Sequence, residues 1–362
     1  CPTRSLFTFL SPFIMAPPTS IPPEIKAMGF DQVKGDAKLL SYAPKPLAKN
    51  DVDFVVTYNG ICHSDIHMID NDWGMTRLPL IPGHEVVGHV LAVGSAVTDI
   101  APGDVVGLGA QCQTCQECDY CKQGIDNVCA DRAFTYMATT KDELGEHIHH
   151  GGFSSFLRTD GRMLYKVPDG LEEKYVGPLM CAGATIFEPI HHFFGGLDGT
   201  GKTVGVVGIG GLGHLAVQFA HKMGANVIAL SRGTNKEEFA KQLGADSLLD
   251  TTNDDAMAAA AGTIDLLIFT TAGGNIDVNQ YLPMMKPYGN VHFCGVPDEN
   301  LSLNVMPILF GRLSLSGNPV CGANDMRIML QFAAEHDIKP IIEVFAHSQA
   351  NEAIAKVRDG SI

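Results

Sequence analysis

Lys202-Thr203-Val204-Gly205-Val206-Val207-Gly208-Ile209-Gly210-Gly211-Leu212-Gly213 is the stretch on which the fold turns. Residues 202–207 read as a buried strand, and a helical run over 214–223 follows the glycines. Strand, G-x-G-x-x-G and helix in that order make a dinucleotide-binding turn. The glycines permit the tight turn, the approach of a pyrophosphate and the packing of helix on strand. The helix N-terminus offers N–H donors and a positive dipole to the phosphates. The unit then repeats: a strand over 227–230, a helix over 236–243, and strands at 264–269, 289–293 and 313–316. Alternation at this spacing predicts an α/β doubly wound parallel sheet.

The end of the second strand reports on the cofactor. An NAD enzyme usually carries Asp or Glu there to accept from the ribose 2′-OH. This chain has Ser231-Arg232-Gly233-Thr234-Asn235-Lys236, a hydroxyl and two cations with no acid. In an acidic protein, a basic turn at this place favours the 2′-phosphate of NADP.

Upstream, residues 26–110 are β-branched, glycine-punctuated and irregular, which suggests a β-rich, barrel-like domain. A strand over 53–58 runs into Gly60-Ile61-Cys62-His63-Ser64-Asp65-Ile66-His67, and Gly83-His84-Glu85 opens another over 84–94. Cys62, His84 and the distant Cys181 would supply two thiolates, one imidazole and an open fourth position, the ligand set of a catalytic zinc. Cys115, Cys118, Cys121 and Cys129 lie in one loop and can close a tetrahedron around a structural zinc; an iron–sulfur cluster or unpaired thiols are the alternatives. Residues 130–170 read as polar loops, and His147, His149 and His150 as a solvated stretch without a metal partner in register. Beyond 319 a helix over 326–335, an extended stretch near 340–342 and a helix over 348–358 are expected.

Composition narrows the class. At 362 residues, 45% hydrophobic and 18% charged, the chain is globular and long enough for two domains. Forty acidic against 25 basic residues give a net charge of −15, which argues against nucleic acid and anionic membrane as partners. No apolar run is long enough for a membrane span. Five of ten cysteines fall between Cys112 and Cys129, a clustering that suits metal more than disulfides and implies a reducing compartment, the cytosol. Residues 1–14 read as a disordered leader.

These motifs, in this order, resemble the zinc-dependent medium-chain dehydrogenases, in particular the cinnamyl alcohol dehydrogenase group and its NADP-dependent microbial relatives. The likeness rests on Gly60-x-Cys62-His63-Ser64-Asp65-x-His67, Pro82-Gly83-His84-Glu85, the four-cysteine loop, Cys181-Ala182-Gly183 and the glycine turn, and runs from about residue 25 onward. It implies a GroES-like catalytic domain over 1–170 and 319–362, with a Rossmann domain over 171–318. It implies zinc-dependent transfer of hydride between NADP(H) and primary alcohols or aldehydes, in a homodimer. Two zincs are implied per chain, one on Cys62, His84 and Cys181 and one on Cys115, Cys118, Cys121 and Cys129, with Cys112 left over.

The resemblance also assigns roles. The proton relay it implies runs from the alkoxide through Ser64, the cofactor ribose and His67 to water. Asp65 is the expected acceptor for the second nitrogen of His84, and Glu85 stands behind the metal. Cofactor contacts are implied for His63, Thr185, Gly208, Gly210, Gly211, Leu212, Gly213, Ser231, Arg232, Lys236, Thr271, Gly295, Val296, Gly317 and Asn318. Trp73, Phe134 and Pro319 fall where the group lines its pocket, which suits aromatic or medium-chain aldehydes. The alternatives are an NAD-dependent polyol or formaldehyde dehydrogenase and a non-catalytic nucleotide binder; a complete ligand set with Ser64 and His67 argues against the latter.

Overall fold

The computed structural model describes residues 22–271, 276–296 and 300–360, together with the backbone of residues 7–11. The chain divides into two compact units. One takes in the chain up to Cys181 and Gly322–Ile362; the other is Ala182–Cys321. The catalytic-type unit therefore extends past residue 170. The helix Glu173–Pro178 packs on the strands Asp51–Ile61, Val86–Val93 and Val105–Leu108, which keeps it with the first unit.

The second unit is a six-stranded parallel sheet. Its order is Ser247–Asp250, Asn226–Ser231, Thr203–Val207, Ile264–Phe269, Met285–Phe293 and Ser314–Gly317. The central strand Thr203–Val207 is covered on both faces, with Val204 and Val206 fully buried, as its unbroken apolar run requires. The first helix is Gly211–Lys222 and begins three residues before the expected 214. His214 N–H already donates to Gly210 O at 3.0 Å, so the last glycines of the turn are themselves helical. Leu215, Ala216, Val217, Phe219 and Ala220 form its buried face.

The first unit is built on a sheet with strand order Leu164–Lys166, Val105–Leu108, Val86–Val93, Asp51–Ile61, Phe7–Ser11 and Ile342–Ala346; Phe156–Asp160 also pairs with Asp51–Ile61. One face buries Val52, Phe54, Val56, Val86, Val90 and Leu108. A second cluster, around Phe30, Ile61, Ile66, Phe153, Phe345 and Ile354, lies under the helix His63–Asp70. Burying one such side chain stabilises by about 1.5–3 kcal/mol.

Two expectations change here. The supposed loops of 130–170 contain the hairpin Thr139–Asp142 with Gly145–Ile148 and the strand Phe156–Asp160. His149 is buried, not solvated, with Nδ1 against the carbonyl of Thr135, and the ring of His150 sits 4.2 Å from that of Tyr42. The leader also departs from disorder. Phe7–Ser11 forms a strand parallel to Ile342–Ala346 and antiparallel to Asn59–Ile61, with Phe9 opposite Gly60. Residues 1–6 and 12–14 lie outside the described residues.

No helix of the described residues is long and apolar enough to cross a membrane. Among the described residues, no cysteine is joined to another in a disulfide.

Candidate active site and metal centres

The strand Asp51–Ile61 delivers Cys62 to the N-terminus of the helix His63–Asp70, where it acts as N-cap. Its Sγ accepts from Ser64 N–H at 3.4 Å, and its own N–H donates to Asp65 Oδ2 at 3.0 Å. This reciprocal capping uses Asp65 three residues on, as helix starts commonly do. The other oxygen of Asp65 accepts from Gly83 N–H and from His84 Nδ1, each at 3.1 Å. One fully buried carboxylate thus joins both motifs and fixes the His84 tautomer, with Nε2 turned to the ligand position.

Cys62, His84, Glu85 and Cys181 bring one ligand atom each to within 4.8 Å of one another. Cys181 lies in the single π-helical turn Leu179–Gly183, an irregularity often found at functional sites. A hydrogen bond from Cys181 and then the neighbouring His84 hold Cys62 well below the usual thiol range; the same bond pushes Cys181 up. Burial opposes the charged form of His84, but the Asp65 carboxylate and Cys62 outweigh it and raise its pKa well above normal. Glu85 is fully buried, and among the described residues neither of its carboxylate oxygens has a hydrogen-bond partner. Burial and then the charge of Cys62 push its carboxyl well up. A buried, unpartnered carboxylate beside two sulfurs and an imidazole is what a cation would satisfy. Gly60 makes room for it: a Cβ there would lie 1.8 Å from Glu85 Oε2.

Cys115, Cys118, Cys121 and Cys129 also gather within 4.8 Å. A tetrahedral zinc with bonds of about 2.3 Å separates its sulfurs by about 3.8 Å. Here Cys115 Sγ lies 3.8 Å from that of Cys121 and 3.5 Å from that of Cys129. The amides of Glu117 and Cys118 draw Cys115 down to about 7. Cys112 takes no part. It is buried in the Gln111–Gln113 strand, donates to Phe134 O at 3.1 Å, and burial pushes its thiol up.

On the helix that Cys62 caps, His67 Nδ1 donates to Asp72 Oδ2 at 2.9 Å and its ring lies 5.0 Å from that of Trp73. The carboxylate accepts only, so Nε2 is left as the basic nitrogen. Asp72 carries no motif in the sequence; the left-handed turn at Asn71, φ 59°, brings it back to the helix. Tyr136 was not foreseen either. Its ring centroid is 5.8 Å from that of His84, and burial raises its hydroxyl pKa well above normal. Phe134, two residues earlier, is exposed beneath the Arg132 guanidinium. His63 is exposed at the helix start.

In the second unit, a Cβ on Gly213 would stand 1.9 Å from Gly208 O, so only glycine lets the helix close on the strand. A Cβ on Gly210 would meet nothing within 4 Å, which leaves that side of the turn open for phosphate. Thr271 lies against Gly208. Gly295 N–H donates to Phe269 O at 3.4 Å, and Val296 is exposed. Gly317 ends the last strand. Asn318 donates to Thr185 O at 3.2 Å, and Thr185 donates to Pro319 O at 3.0 Å. Arg232 is exposed, while Lys236 reaches over the glycine turn to Ile209 O at 3.1 Å.

The alcohol dehydrogenase GroES-like domain model matches residues 48–169, and the zinc-binding dehydrogenase model matches 211–335. The aldehyde reductase AdhA of Synechocystis sp. is 41% identical, over 93% of this chain and 96% of its own. The chain belongs to the zinc-dependent medium-chain dehydrogenases, in the cinnamyl alcohol dehydrogenase-like group. Among solved structures, the dehydrogenase is similar to a cinnamyl alcohol dehydrogenase of Sorghum bicolor, with TM-score 0.87 and 35% identity over 93% of this chain and 95% of that one. It is similar also to the Helicobacter pylori enzyme complexed with NADP(H), with TM-score 0.83 and 28% identity over the same shares. Alcohol and aldehyde oxidoreduction is the activity this dehydrogenase shares with such relatives.

Proposed function

We propose that the protein reduces aromatic or medium-chain aldehydes with NADPH at a zinc held by Cys62, His84 and Cys181, with a second, structural zinc on the four-cysteine lobe. The observation that carries this reading is the convergence of those three ligand atoms within 4.8 Å of one another, with Cys62 and His84 both tied to the fully buried Asp65 and the unpartnered Glu85 beside them. When bound, zinc supplies Lewis-acid polarisation of the carbonyl and NADPH supplies hydride.

The chain's own residues handle the proton. Ser64, two residues after Cys62, gives its hydroxyl proton to the oxygen of the reduced substrate. His67, one helical turn on from Ser64, holds the proton that replaces it and exchanges with water, as its partial exposure allows. Asp72 keeps His67 Nδ1 protonated, so that Nε2 does the exchanging. Trp73 and Tyr136 offer the aromatic surface for the substrate.

NADPH is favoured over NADH by the cations of the 231–236 turn, and the NADP(H) complex of the Helicobacter relative supports that choice. A homodimer in the cytosol completes the reading. The edge strand Ser314–Gly317 is exposed throughout, and the neighbouring helix Val305–Gly311 presents Leu309 at 65% and Phe310 at 82% exposure, an apolar edge that a second copy would cover.

The test is a panel of aldehydes assayed with NADPH and NADH side by side. Turnover of aromatic aldehydes with NADPH is expected; turnover confined to polyols or formaldehyde with NAD would sink the substrate and cofactor assignments.

A further inference from the structure

The acid missing from the end of the second strand stands one strand away. Asn226–Ser231 and Ser247–Asp250 run parallel, with Asp250 in register with Ser231. Asp250 Oδ1 accepts from Gly233 N–H at 2.8 Å, from Thr252 N–H at 2.9 Å and from Thr252 Oγ1 at 2.7 Å. Those donors, the Thr252 amide first, keep the carboxyl below the usual range and hence ionised. All three bonds fall on one oxygen, and the first of them is to the middle of the basic turn. The Arg232–Lys236 turn is therefore tied to a negative charge through Gly233.

We propose that Asp250 determines cofactor specificity: its carboxylate opposes a 2′-phosphate and favours a free ribose hydroxyl, so it sets how strongly the Arg232–Lys236 turn prefers NADPH over NADH. The proposal rests on the assignment of that turn to the 2′-phosphate. The physics is a balance at one place. Two cations attract the phosphate, and one fixed anion repels it. Where an acid ends a ribose-binding strand, it accepts from the hydroxyl that the phosphate would replace. The site is partly exposed, so the repulsion is screened by salt, and removing the charge is expected to change affinity by about three- to tenfold.

The experiment titrates the cofactor-free protein calorimetrically with 2′,5′-ADP and with 5′-AMP, which differ only in the 2′-phosphate. Wild type, Asp250→Asn, Asp250→Ala and Arg232→Ala are compared. Asp250→Asn keeps the acceptor for Gly233 and loses only the charge. It is expected to raise the affinity ratio of 2′,5′-ADP to 5′-AMP by about three- to tenfold, and the gain should shrink at high salt. Asp250→Ala also frees the turn and should gain less. Retained 5′-AMP binding shows that each variant is folded. A ratio within twofold of wild type in Asp250→Asn, with Arg232→Ala clearly weaker for 2′,5′-ADP, overturns the proposal alone and leaves Asp250 as a turn staple. No response in either variant overturns the phosphate assignment and the proposal with it.

Discussion

Asp65 and Asp72 give two histidines the same treatment for different purposes. Each accepts from an imidazole Nδ1 and so leaves Nε2 free, in His84 for the proposed metal and in His67 for the proposed proton exchange. Only Asp65 is fully buried, which suits a fixed ligand; Asp72 is exposed, which suits exchange with solvent. Ser64→Ala is predicted to cut kcat by about 10²–10⁴-fold, and Asp72→Asn by about tenfold with a changed pH profile. Both should keep wild-type zinc and NADPH affinity. A Ser64→Ala enzyme as fast as wild type would take Ser64 out of the relay. Arg232→Ala should weaken NADPH by about ten- to hundredfold and spare NADH, by the worth of one charged hydrogen bond. At this scale the two clusters, Cys62 with His84 and Cys181 and the four cysteines from Cys115 to Cys129, were legible, because thiol, imidazole and spacing are chemistry written locally. Asp72, Tyr136 and Asp250 were not, because a left-handed residue, a distant turn and a neighbouring strand bring them in.

Among the elements, the four-cysteine lobe also serves a helix far along the chain. Asp126, three residues before Cys129, accepts from Ala323 N–H at 2.7 Å and so caps the helix Ala323–Glu335, while Asn324 donates to Gln123 O at 2.8 Å. Cys118→Ala should therefore lower Tm and loosen that helix together, which hydrogen exchange over 323–330 would register. The strand Phe7–Ser11 makes a second such link, because it pairs with the residues that deliver Cys62. Proline cannot donate to a ladder, so Phe9→Pro should lower Tm and zinc retention; a variant unchanged in both would deny that strand a structural role. Non-local pairing of this kind leaves no periodic trace in the sequence, whereas the glycine turn and its alternating units do.

Two buried histidines add a pH dependence. Burial draws His149 and His214 down from 6.5 to about 4. Both stay neutral in the folded protein at a pH where the unfolded chain would protonate them. Stability is thus fully present above pH 6.5 and falls as pH drops toward 4, by up to about 3 kcal/mol per histidine. A Tm that holds level from pH 7 to 4.5 would contradict this.

For the whole molecule, both breaks between the compact units fall next to residues to which the sequence reading gives a role. Cys181 ends one unit and Ala182 opens the next, three residues before Thr185, while Pro319 and Cys321 precede the return at Gly322. Composition could not place the first break, because the helix Glu173–Pro178 is assigned to its unit by what it packs on. The exposed edge Ser314–Gly317 makes a further prediction at this scale. Light scattering should give twice 38.7 kDa, and Phe310→Asp with Leu315→Arg should shift the protein toward monomer.

The account stands on two zincs with unequal work, and metal analysis of wild type beside Cys62→Ala and Cys118→Ala tests that most directly. Two zincs per chain are predicted in wild type. Cys62→Ala should keep the structural ion and much of the fold while losing aldehyde reduction, and Cys118→Ala should lose the structural ion and stability together. Iron in place of zinc, or a single zinc with full activity, would contradict it.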